Sequence, residues 1–314
     1  MGQTTWVWLL TLLAGVASFS AAESNRICSV DGNDRHVCLS SPPARIISLS
    51  PGTTELLFEA GAGPQVIAVD KHSDYPPRVK QLPDVGGFPQ VSEEAIVKQR
   101  PDLVVIWSNG NSPTVAKQLE KLGLKTFYIN VRTLDDIPQA LHQLGEITNN
   151  TTTATTAAQS FNHTLTLLEQ TFASRTPLSV FFEIWKDPLM TVGSSQVIHE
   201  AITVCGGHNV FGNMPQSIPT VSIEALLTSN PQVIIDASPT GQTPAHFQKQ
   251  LTFWQQWPSL AAVEKQHFIT LQSDLITRPT SRMLQGVKQL CQQLDVLRQL
   301  SSTTQKRTEH TNAK

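Results

Sequence analysis

The chain has 314 residues, of which 15% are charged, and a formal net charge of −2 at pH 7. That balance, without a basic stripe, excludes nucleic-acid binding as the main activity. About 290 residues follow the first apolar segment, which is more than a single core of ordinary size holds, so two lobes are expected.

The amino terminus has the composition of a targeting segment. Residues 6–16 form an apolar run that is too short to span a bilayer. The small residues Ser20, Ala21 and Ala22 then precede Glu23, although no Lys or Arg precedes the apolar run. We predict a signal peptide over 1–22, cleaved after Ala22, and an exported mature protein.

The four cysteines are an even number in an exported chain and allow three disulfide connectivities. We favour Cys28–Cys38, across a polar loop within 23–44, together with Cys205–Cys291. The chain-entropy model gives roughly 2.7 kcal/mol for the short loop and about 4.6 kcal/mol for the long one. A zinc site is not favoured, because there is no C-x-x-C and no histidine pair lies beside the cysteines.

Short apolar runs alternate with helix signals through a predicted N-terminal lobe, residues 45–148. The predicted strands are 45–49, 66–69, 103–107 and 126–129. The predicted helices are 53–60, 92–98, 113–122 and 135–147. This alternation is typical of a parallel sheet built from right-handed β-α-β crossovers.

A different pattern follows within a predicted connecting segment, residues 149–176. Its apolar residues recur on one helical face, and they are Ala154, Ala157, Ala158, Phe161, Leu165, Leu168 and Phe172. About 24 residues at 1.5 Å each span roughly 36 Å, the width of a lobe. We expect one rigid helix between the lobes, ended by Pro177.

The predicted C-terminal lobe, residues 177–300, repeats the alternation. Its predicted strands are 178–184, 233–236 and 268–271. Its predicted helices are 196–205, 222–228 and 279–297. The polar residues 301–314 are predicted to be a disordered tail.

A sequence repeat links the two lobes. Residues 91–97 (VSEEAIV) match residues 221–227 (VSIEALL), and a proline and an apolar strand follow in both cases. Ser92 and Ser222 suit helix N-caps, while Glu94 and Glu224 fall in the first turn, where a carboxylate suits the positive helix end. Any two α/β units share part of this pattern, but the matched Ser, Glu and Ala at one offset favour a duplication.

Polar and aromatic residues follow the ends of several predicted strands, where open α/β sheets bind ligands. The candidate ligand-binding residues are Ser50, Pro51, Tyr75, Phe88, Trp107, Trp185, Asp274 and Arg278. Aromatic area combined with a few polar groups suits a large, flat, partly polar ligand. The alternatives are structural: each tryptophan plugs a sheet edge, Tyr75 staples a turn, and Asp274 pairs only with Arg278.

Catalytic and metal-binding motifs are absent from the sequence. It has no G-x-S-x-G, P-loop, H-E-x-x-H or G-x-G-x-x-G, and its nine histidines are scattered. We therefore predict a binding protein that is not an enzyme and holds no cofactor or metal. An exported enzyme that uses the same cleft and a ligand-free interaction protein are the competing hypotheses.

The chain resembles periplasmic substrate-binding proteins of the helical-backbone class, close to the cobalamin-binding proteins of ABC importers. The resemblance runs from about Arg45 to Leu294 and rests on motifs in both lobes. They are Ser48-Leu49-Ser50-Pro51 with Thr54-Glu55, Ser73-Asp74-Tyr75-Pro76-Pro77, Pro101-Asp102-Leu103-Val104 with Trp107, Glu183-Ile184-Trp185-Lys186-Asp187-Pro188, Cys205-Gly206-Gly207 and Ser273-Asp274.

The resemblance implies two Rossmann-like α/β lobes, each a parallel sheet flanked by helices, joined by a single long backbone helix. It implies a monomeric periplasmic protein that holds a corrinoid such as cobalamin in the cleft as its transported ligand. Glu94 and Glu224 match residues that dock on arginines of the ABC permease, and the cysteines matching Cys205 and Cys291 pair. Asp274 and Arg278 would then hydrogen-bond amides or phosphate of the ligand.

Three departures from the family pattern bear on the ligand. Phe88 and Ile218 stand where the most similar family members have tryptophan. Ile184 stands where an aromatic residue is expected, next to Trp185. Haem and a ferric siderophore therefore stay as alternative ligands, because proteins of the same fold bind both.

Overall fold

The computed structural model describes residues 26–87, 90–108 and 113–312. Within these ranges the chain forms two α/β lobes, each built on one four-stranded parallel sheet. The predicted signal peptide, residues 1–22, lies outside the described residues.

An N-terminal β-hairpin precedes the first lobe, where the sequence predicts only a disulfide-closed loop. Its antiparallel strands are β1 (Ile27–Val30) and β2 (His36–Leu39). Cys28 lies directly opposite Cys38 in the register, and the two form a disulfide. Both cysteines are exposed.

The described part of the N-terminal lobe contains four sheet strands, a small hairpin and four helices. In chain order these elements are β3 (Ile46–Ser48), α1 (Pro51–Glu59), β4 (Val66–Val69), β5 (Gly86–Gly87), β6 (Gln90–Val91), α2 (Glu93–Lys98), β7 (Leu103–Trp107), α3 (Pro113–Lys121), β8 (Thr126–Ile129) and α4 (Asp136–Thr148). The sheet order is β4-β3-β7-β8. Short 3-10 turns lie at Gly63–Gln65 and Pro77–Gln81.

The central strand β7 shows why this lobe forms a sheet covered on both faces. Leu103 and Val105 belong to a core layer on one side, and Val104 and Ile106 belong to a separate layer on the other. All four side chains are fully buried. A strand that is buried on both faces has a continuous apolar sequence, which is the pattern that 103–107 shows.

The N-terminal hairpin covers the open edge of this sheet at β8. Gly32 N donates to Tyr128 O at 2.7 Å, and Tyr128 N donates to Oδ2 of the buried Asp31 at 3.2 Å. Arg35 Nη2 donates to Thr126 O at 3.1 Å. Edge strands with unpaired backbone groups invite pairing with other chains, so these contacts protect the lobe from edge-to-edge association.

A single 22-residue helix, α5 (Thr151–Phe172), follows α4 and leads to the second lobe. Its buried residues are Ala154, Ala158, Phe161, Leu165 and Leu168. All five belong to the apolar face that the sequence predicts. They join a core layer that contains residues of both lobes, so α5 is packed as a structural element and not as a free linker.

The C-terminal lobe has the same kind of construction. In chain order its elements are β9 (Leu178–Phe182), β10 (Trp185–Lys186), β11 (Leu189–Met190), α6 (Val197–Val204), β12 (Gly207–Asn209), α7 (Ile223–Ser229), β13 (Val233–Ser238), α8 (Pro244–Trp254), α9 (Ala261–Glu264), β14 (Phe268–Gln272), α10 (Ser273–Ile276) and α11 (Met283–Asn312). The sheet order is β12-β9-β13-β14. In each lobe the second strand along the chain lies outside the first, and the third and fourth follow on the other side.

The C-terminal helix and the second disulfide complete this lobe. Cys205 and Cys291 form a disulfide, and both residues are fully buried. The backbone of α11 continues to Asn312, into the range where the sequence predicts a disordered tail. That prediction stays a prediction. No helix in the described ranges is both long and apolar enough to cross a membrane.

Candidate functional site

A cavity of about 280 Å³ lies between the two lobes, at the carboxyl ends of their strands. One wall comes from the N-terminal lobe, through Ser50, Pro51, Gly52, Trp107 and Val131. The opposite wall comes from the C-terminal lobe, through Ser195, Gln196, Ser217, Ile218, Thr277, Arg278 and Pro279. The structure thus brings together four residues that the sequence predicts as ligand contacts, namely Ser50, Pro51, Trp107 and Arg278.

Ser50 and Pro51 are placed by the start of α1. Ser50 is the N-cap, and its Oγ accepts a hydrogen bond from Thr53 N at 3.2 Å. Pro51 occupies the first helical turn, where its missing N–H costs nothing. Hydroxyls of Ser48 and Thr54 add a bond at 2.9 Å behind this turn. The cap therefore faces the cleft on a rigid support.

Trp107 ends β7, and its indole ring lies over the start of α1. The ring atom Cζ3 is 3.5 Å from the position that a Cβ on Gly52 would take. Trp107 is half-buried and packs against the core layer shared by the lobes. The ring therefore has one face on the protein and presents aromatic surface to the cavity.

The opposite wall is built by two loops that pair closely. Gly193 N donates to Ser217 O at 3.0 Å, and Ser195 Oγ donates to Pro215 O at 2.8 Å. A Cβ on Gly193 would lie 2.0 Å from the backbone oxygen of Gln216, so only glycine fits there. This close approach sets Ser195, Gln196 and Ser217 at the cavity.

Arg278 carries the charge of the cavity wall, and three carboxylates surround it. Its Nη1 lies 3.1 Å from Oε1 of Glu55 and 2.6 Å from Oδ1 of Asp74. Its Nη2 lies 3.0 Å from Oδ1 of Asp274. Glu55 and Asp74 belong to the N-terminal lobe, so the cluster bridges the two lobes. Asp274 and Arg278 do pair with each other, as the structural alternative predicts, but Arg278 also binds across the cleft.

Glu55 is the centre of this bridge. It is 4% exposed and accepts hydrogen bonds from Thr280 Oγ1 at 2.9 Å and from Arg282 Nη1 at 3.0 Å, in addition to Arg278. Burial raises the pKa of the Glu55 carboxyl, while the bonds from Arg278 and Thr280 and the charge of Arg282 oppose that rise. Burial also opposes the charge on Arg278, but Asp74, Glu55 and Asp274 hold the pKa of its guanidinium above the ordinary value.

Tyr75 and Trp185 lie outside the lining of this cavity. Tyr75 is 42% exposed, and its ring carries the Arg282 guanidinium at 3.8 Å from the centroid. Trp185 is 63% exposed on the β10–β11 hairpin, and its Nε1 donates to Asp187 O at 2.9 Å. Phe88 lies outside the described residues. The roles of these three aromatics in ligand binding stay predictions.

A polar cluster anchors the hairpin that carries Trp185. Lys186 Nζ donates to Gln250 Oε1 at 2.9 Å and lies 3.6 Å from Oε1 of Glu183. Trp254 Nε1 donates to Oε2 of Glu183 at 2.9 Å. Burial raises the pKa of the Glu183 carboxyl, and the charge of Lys186 opposes that rise. The hairpin is therefore fixed at its base, and Trp185 extends from it into solvent.

The repeated segments form matching surface helices in the two lobes. Ser92 Oγ accepts from Ala95 N at 3.2 Å, and Ser222 Oγ accepts from Ala225 N at 3.1 Å. Glu94 and Glu224 are both exposed in the first turn that follows. The backbone N–H of Glu224 and the Ser222 side chain hold the pKa of the Glu224 carboxyl below its ordinary value.

Sequence reasoning missed four neutral polar residues of the cavity, which are Ser195, Gln196, Ser217 and Thr277. Gln196 is the N-cap of α6, and Thr277 ends α10 next to the predicted Arg278. Ser195 and Ser217 lie in loops whose pairing depends on a close approach at Gly193. Thr277 could have been found as the neighbour of a predicted contact, whereas nothing in the local sequence indicates the two serines.

Metal ligation gains no support from the described part of the chain. It contains no group of three or more His, Cys, Asp or Glu side chains placed to hold an ion. His246 Nε2 lies 2.6 Å from Asp236 Oδ2, and this pair joins α8 to β13. Its further hydrogen-bond partner is the amide of Gln250, which is neither an acidic nor an imidazole group.

Comparison with known proteins gives matches over most of the chain. A family model described as periplasmic binding protein matches residues 46–275. A vitamin B12-binding protein of Vibrio campbellii is 32% identical over 259 residues, which are 82% of this chain and 92% of that protein. A vitamin B12-binding protein of Pectobacterium carotovorum is 35% identical over 263 residues, 83% of this chain and 92% of that protein.

Solved structures give the same picture for the fold. The periplasmic vitamin B12 binding protein of Vibrio cholerae matches with a TM-score of 0.73 at 32% identity, over 81% of this chain and 98% of that one. A periplasmic haem-binding protein of Vibrio cholerae matches with a TM-score of 0.69 at 20% identity, over 80% of this chain and 98% of that one. The second match is a likeness of fold alone.

Proposed function

The chain belongs to the periplasmic binding protein family, and on that premise we propose that it captures a corrinoid between its lobes and delivers it to the permease of an ABC importer. In this proposal the protein is an exported monomer that works in the periplasm after loss of residues 1–22. It is not an enzyme. Cobalamin or a related corrinoid is its transported ligand and not a cofactor.

The observation that carries the choice of ligand is the chemistry of the cavity wall. Neutral hydroxyl and amide groups line it together with the aromatic ring of Trp107, and the neutral groups belong to Ser50, Ser195, Gln196, Ser217 and Thr277. A corrinoid is a broad macrocycle rimmed by neutral amide groups. Such a wall can hydrogen-bond the rim while Trp107 covers apolar area.

Haem and a ferric siderophore are the alternative ligands, and iron ligation argues against haem. Haem iron is held by His, Cys, Met or Tyr side chains. Among the described residues, none of these types lines the cavity. The ring of Tyr75, the tyrosine expected near the cleft, is stacked on Arg282. The haem-binding neighbours are 18% to 23% identical and share the fold, whereas the vitamin B12-binding relatives exceed 30%.

Delivery to a permease is the second part of the proposal. Glu94 and Glu224 occupy equivalent positions in the two lobes, each exposed at the start of a short helix. Two exposed carboxylates at equivalent positions of the two lobes suit a partner protein that presents two basic side chains. Exposed charge pairs of this kind steer and orient a complex more than they tighten it.

Calorimetric titration of mature, tag-free protein tests the ligand. We expect cyanocobalamin to bind tightly with one-to-one stoichiometry and haemin to bind much more weakly. The titration is run at two temperatures, because binding heat can vanish at one of them through its heat-capacity dependence. Haemin binding in the absence of cyanocobalamin binding would overturn the corrinoid assignment and leave the family assignment in place.

A further inference from the structure

Arg278 lines the cavity between the lobes, and carboxylates surround its guanidinium. Glu55, Asp74 and Asp274, here called the carboxylate cage, all contact its guanidinium within 3.1 Å. Arg282 is the second guanidinium of the cluster and binds Glu55. Three carboxylates thus face two guanidinium groups, which leaves one negative charge in excess.

The cage also uses most of the donors through which Arg278 could bind an acidic ligand. A guanidinium has five N–H donors. Nη1 donates to both Glu55 and Asp74, and Nη2 contacts Asp274. A ligand carboxylate prefers a parallel pair of N–H groups. To obtain the Nη1–Nη2 pair it would have to displace Asp74 or Asp274, whereas a neutral carbonyl needs only one donor.

On the premise of the proposed corrinoid function, we propose that the carboxylate cage is a specificity filter that makes the cavity accept amide-rimmed ligands and reject acid-rimmed ones. A ligand carboxylate beside the cage meets the excess negative charge and an arginine that is already paired. A ligand amide is not repelled by the excess negative charge, because it is neutral. It also needs only one hydrogen-bond donor of Arg278.

Glu55 is the positioning residue of this filter. It is fixed from the opposite lobe by Arg278, Arg282 and Thr280, and its side chain is 3% exposed. Arg278 is therefore held towards the cage by a buried carboxylate of the other lobe. Asp74 and Asp274 have side chains that are 42% and 34% exposed, so they are the solvent-accessible members of the cage, and both contact Arg278 of the cavity wall.

The test compares two corrin rings that differ in their rim, dicyanocobinamide with amides and dicyanocobyrinic acid with carboxylates. Calorimetry gives the ratio of their dissociation constants for the parent protein and for the variant Asp74→Asn with Asp274→Asn. The substitutions keep the shape of the side chains and remove two charges. The variant Asp34→Asn with Asp84→Asn removes the same charge at two sites outside the cage and is the matched control.

We expect the parent protein and the control variant to prefer the amide rim. In the cage variant the preference should shrink by about tenfold, since two charges at a half-exposed site contribute on the order of one decade in affinity. An unchanged ratio, in a variant whose thermal unfolding matches the parent, would overturn the filter. Failure of the parent protein to bind either corrin would instead overturn the proposed function, so the two failures are distinguishable.

Discussion

Glu55 and Arg278 belong to different lobes, yet Oε1 of Glu55 lies 3.1 Å from Nη1 of Arg278. A second glutamate makes the reverse connection, because Oε2 of Glu200, in the C-terminal lobe, accepts from Leu134 N of the N-terminal lobe at 2.6 Å. Each lobe thus uses a glutamate carboxylate to contact the other lobe. Together with the packed helix α5, these contacts connect the two lobes.

Removal of the Glu55 side chain should weaken the whole fold. Glu55→Ala leaves Arg278 and Arg282 without their shared buried partner, and loss of one member of a buried ion pair costs about 3 kcal/mol. The free energy of unfolding is measured by urea titration. Glu264→Ala, at an exposed position, is the control and should change it by less than about 0.5 kcal/mol. Equal stability of the two variants would contradict the role of Glu55 as a bridge.

Glu59, one turn after Glu55, predicts a pH dependence of stability. Burial raises the pKa of the Glu59 carboxyl, and the charge of Glu55 adds to the rise. The folded state therefore binds more protons than the unfolded state as pH rises above the ordinary value of 4.5, so the free energy of unfolding falls with rising pH in that window.

The variant Glu59→Gln should remove this fall in the free energy of unfolding with rising pH, because glutamine does not ionise. We expect it to be more stable than the parent at pH 7, and the difference should shrink as pH falls through the ordinary value of 4.5, below which the parent carboxyl becomes protonated in both states. Chemical unfolding at several pH values gives the comparison, with Glu264→Gln as the exposed control. A difference that stays constant across the pH range would contradict the assignment to Glu59.

Trp107 should contribute a large share of ligand affinity. Its ring is the main aromatic surface in the described cavity wall, and truncation of a central aromatic contact commonly costs about 2 to 4 kcal/mol. Trp107→Ala should therefore weaken cyanocobalamin binding by about 30-fold or more. Trp107→Phe should retain much of the affinity. Titration calorimetry measures both, and equal affinities of parent and Trp107→Ala would remove Trp107 from the site.

The docking proposal separates uptake from binding. The double variant Glu94→Ala with Glu224→Ala should bind cyanocobalamin like the parent, because both side chains are exposed outside the cavity lining. Uptake of radiolabelled cyanocobalamin by cells that depend on this protein should be lost. The double variant Glu169→Ala with Glu264→Ala removes the same charge from other exposed positions and should transport normally. Normal uptake with the first variant would refute docking through these glutamates.

The two disulfides should differ in their contribution to stability. The loop closed by Cys205 and Cys291 spans 86 residues, and that closed by Cys28 and Cys38 spans 10. The chain-entropy model gives about 4.6 kcal/mol for the first and about 2.7 kcal/mol for the second. Urea unfolding of two variants, each with both cysteines of one disulfide changed to alanine, shows which disulfide contributes more to the free energy of unfolding. A larger loss from the N-terminal pair would show that the hairpin stabilises more than its loop length accounts for.

The similarity between the two repeated segments continues in the structure beyond the residues that are identical in sequence. Arg100 and Asn230, at equivalent positions, both have left-handed backbone conformations, with φ of 47° and 40°, immediately before a proline. Asp102 and Gln232, again equivalent, both accept from a backbone N–H at the start of the neighbouring strand. The residue types differ at these positions, but the backbone conformation and the hydrogen bond to the neighbouring strand are the same in both lobes.

The strands that the sequence analysis did not predict exist through pairing with other strands, which local residue preferences do not reveal. β12 (Gly207–Asn209) contains residues with weak strand preference and exists because it pairs with β9. The N-terminal hairpin likewise follows from the opposed register of Cys28 and Cys38. α8 is a different case. Thr243 caps it and Pro244 occupies its first turn, so the local sequence does carry a signal for this helix.

The sequence by itself determined the two-lobe α/β architecture, the buried face of α5 and the placement of Glu94 and Glu224 on capped helices. These features follow from apolar periodicity and local hydrogen bonds, which act over a few residues. Only the tertiary structure decided that Glu55 and Asp74 meet Arg278 more than 200 positions along the chain. Such a contact depends on how two lobes pack, and a burial pattern read along one chain cannot specify which charged groups packing brings together.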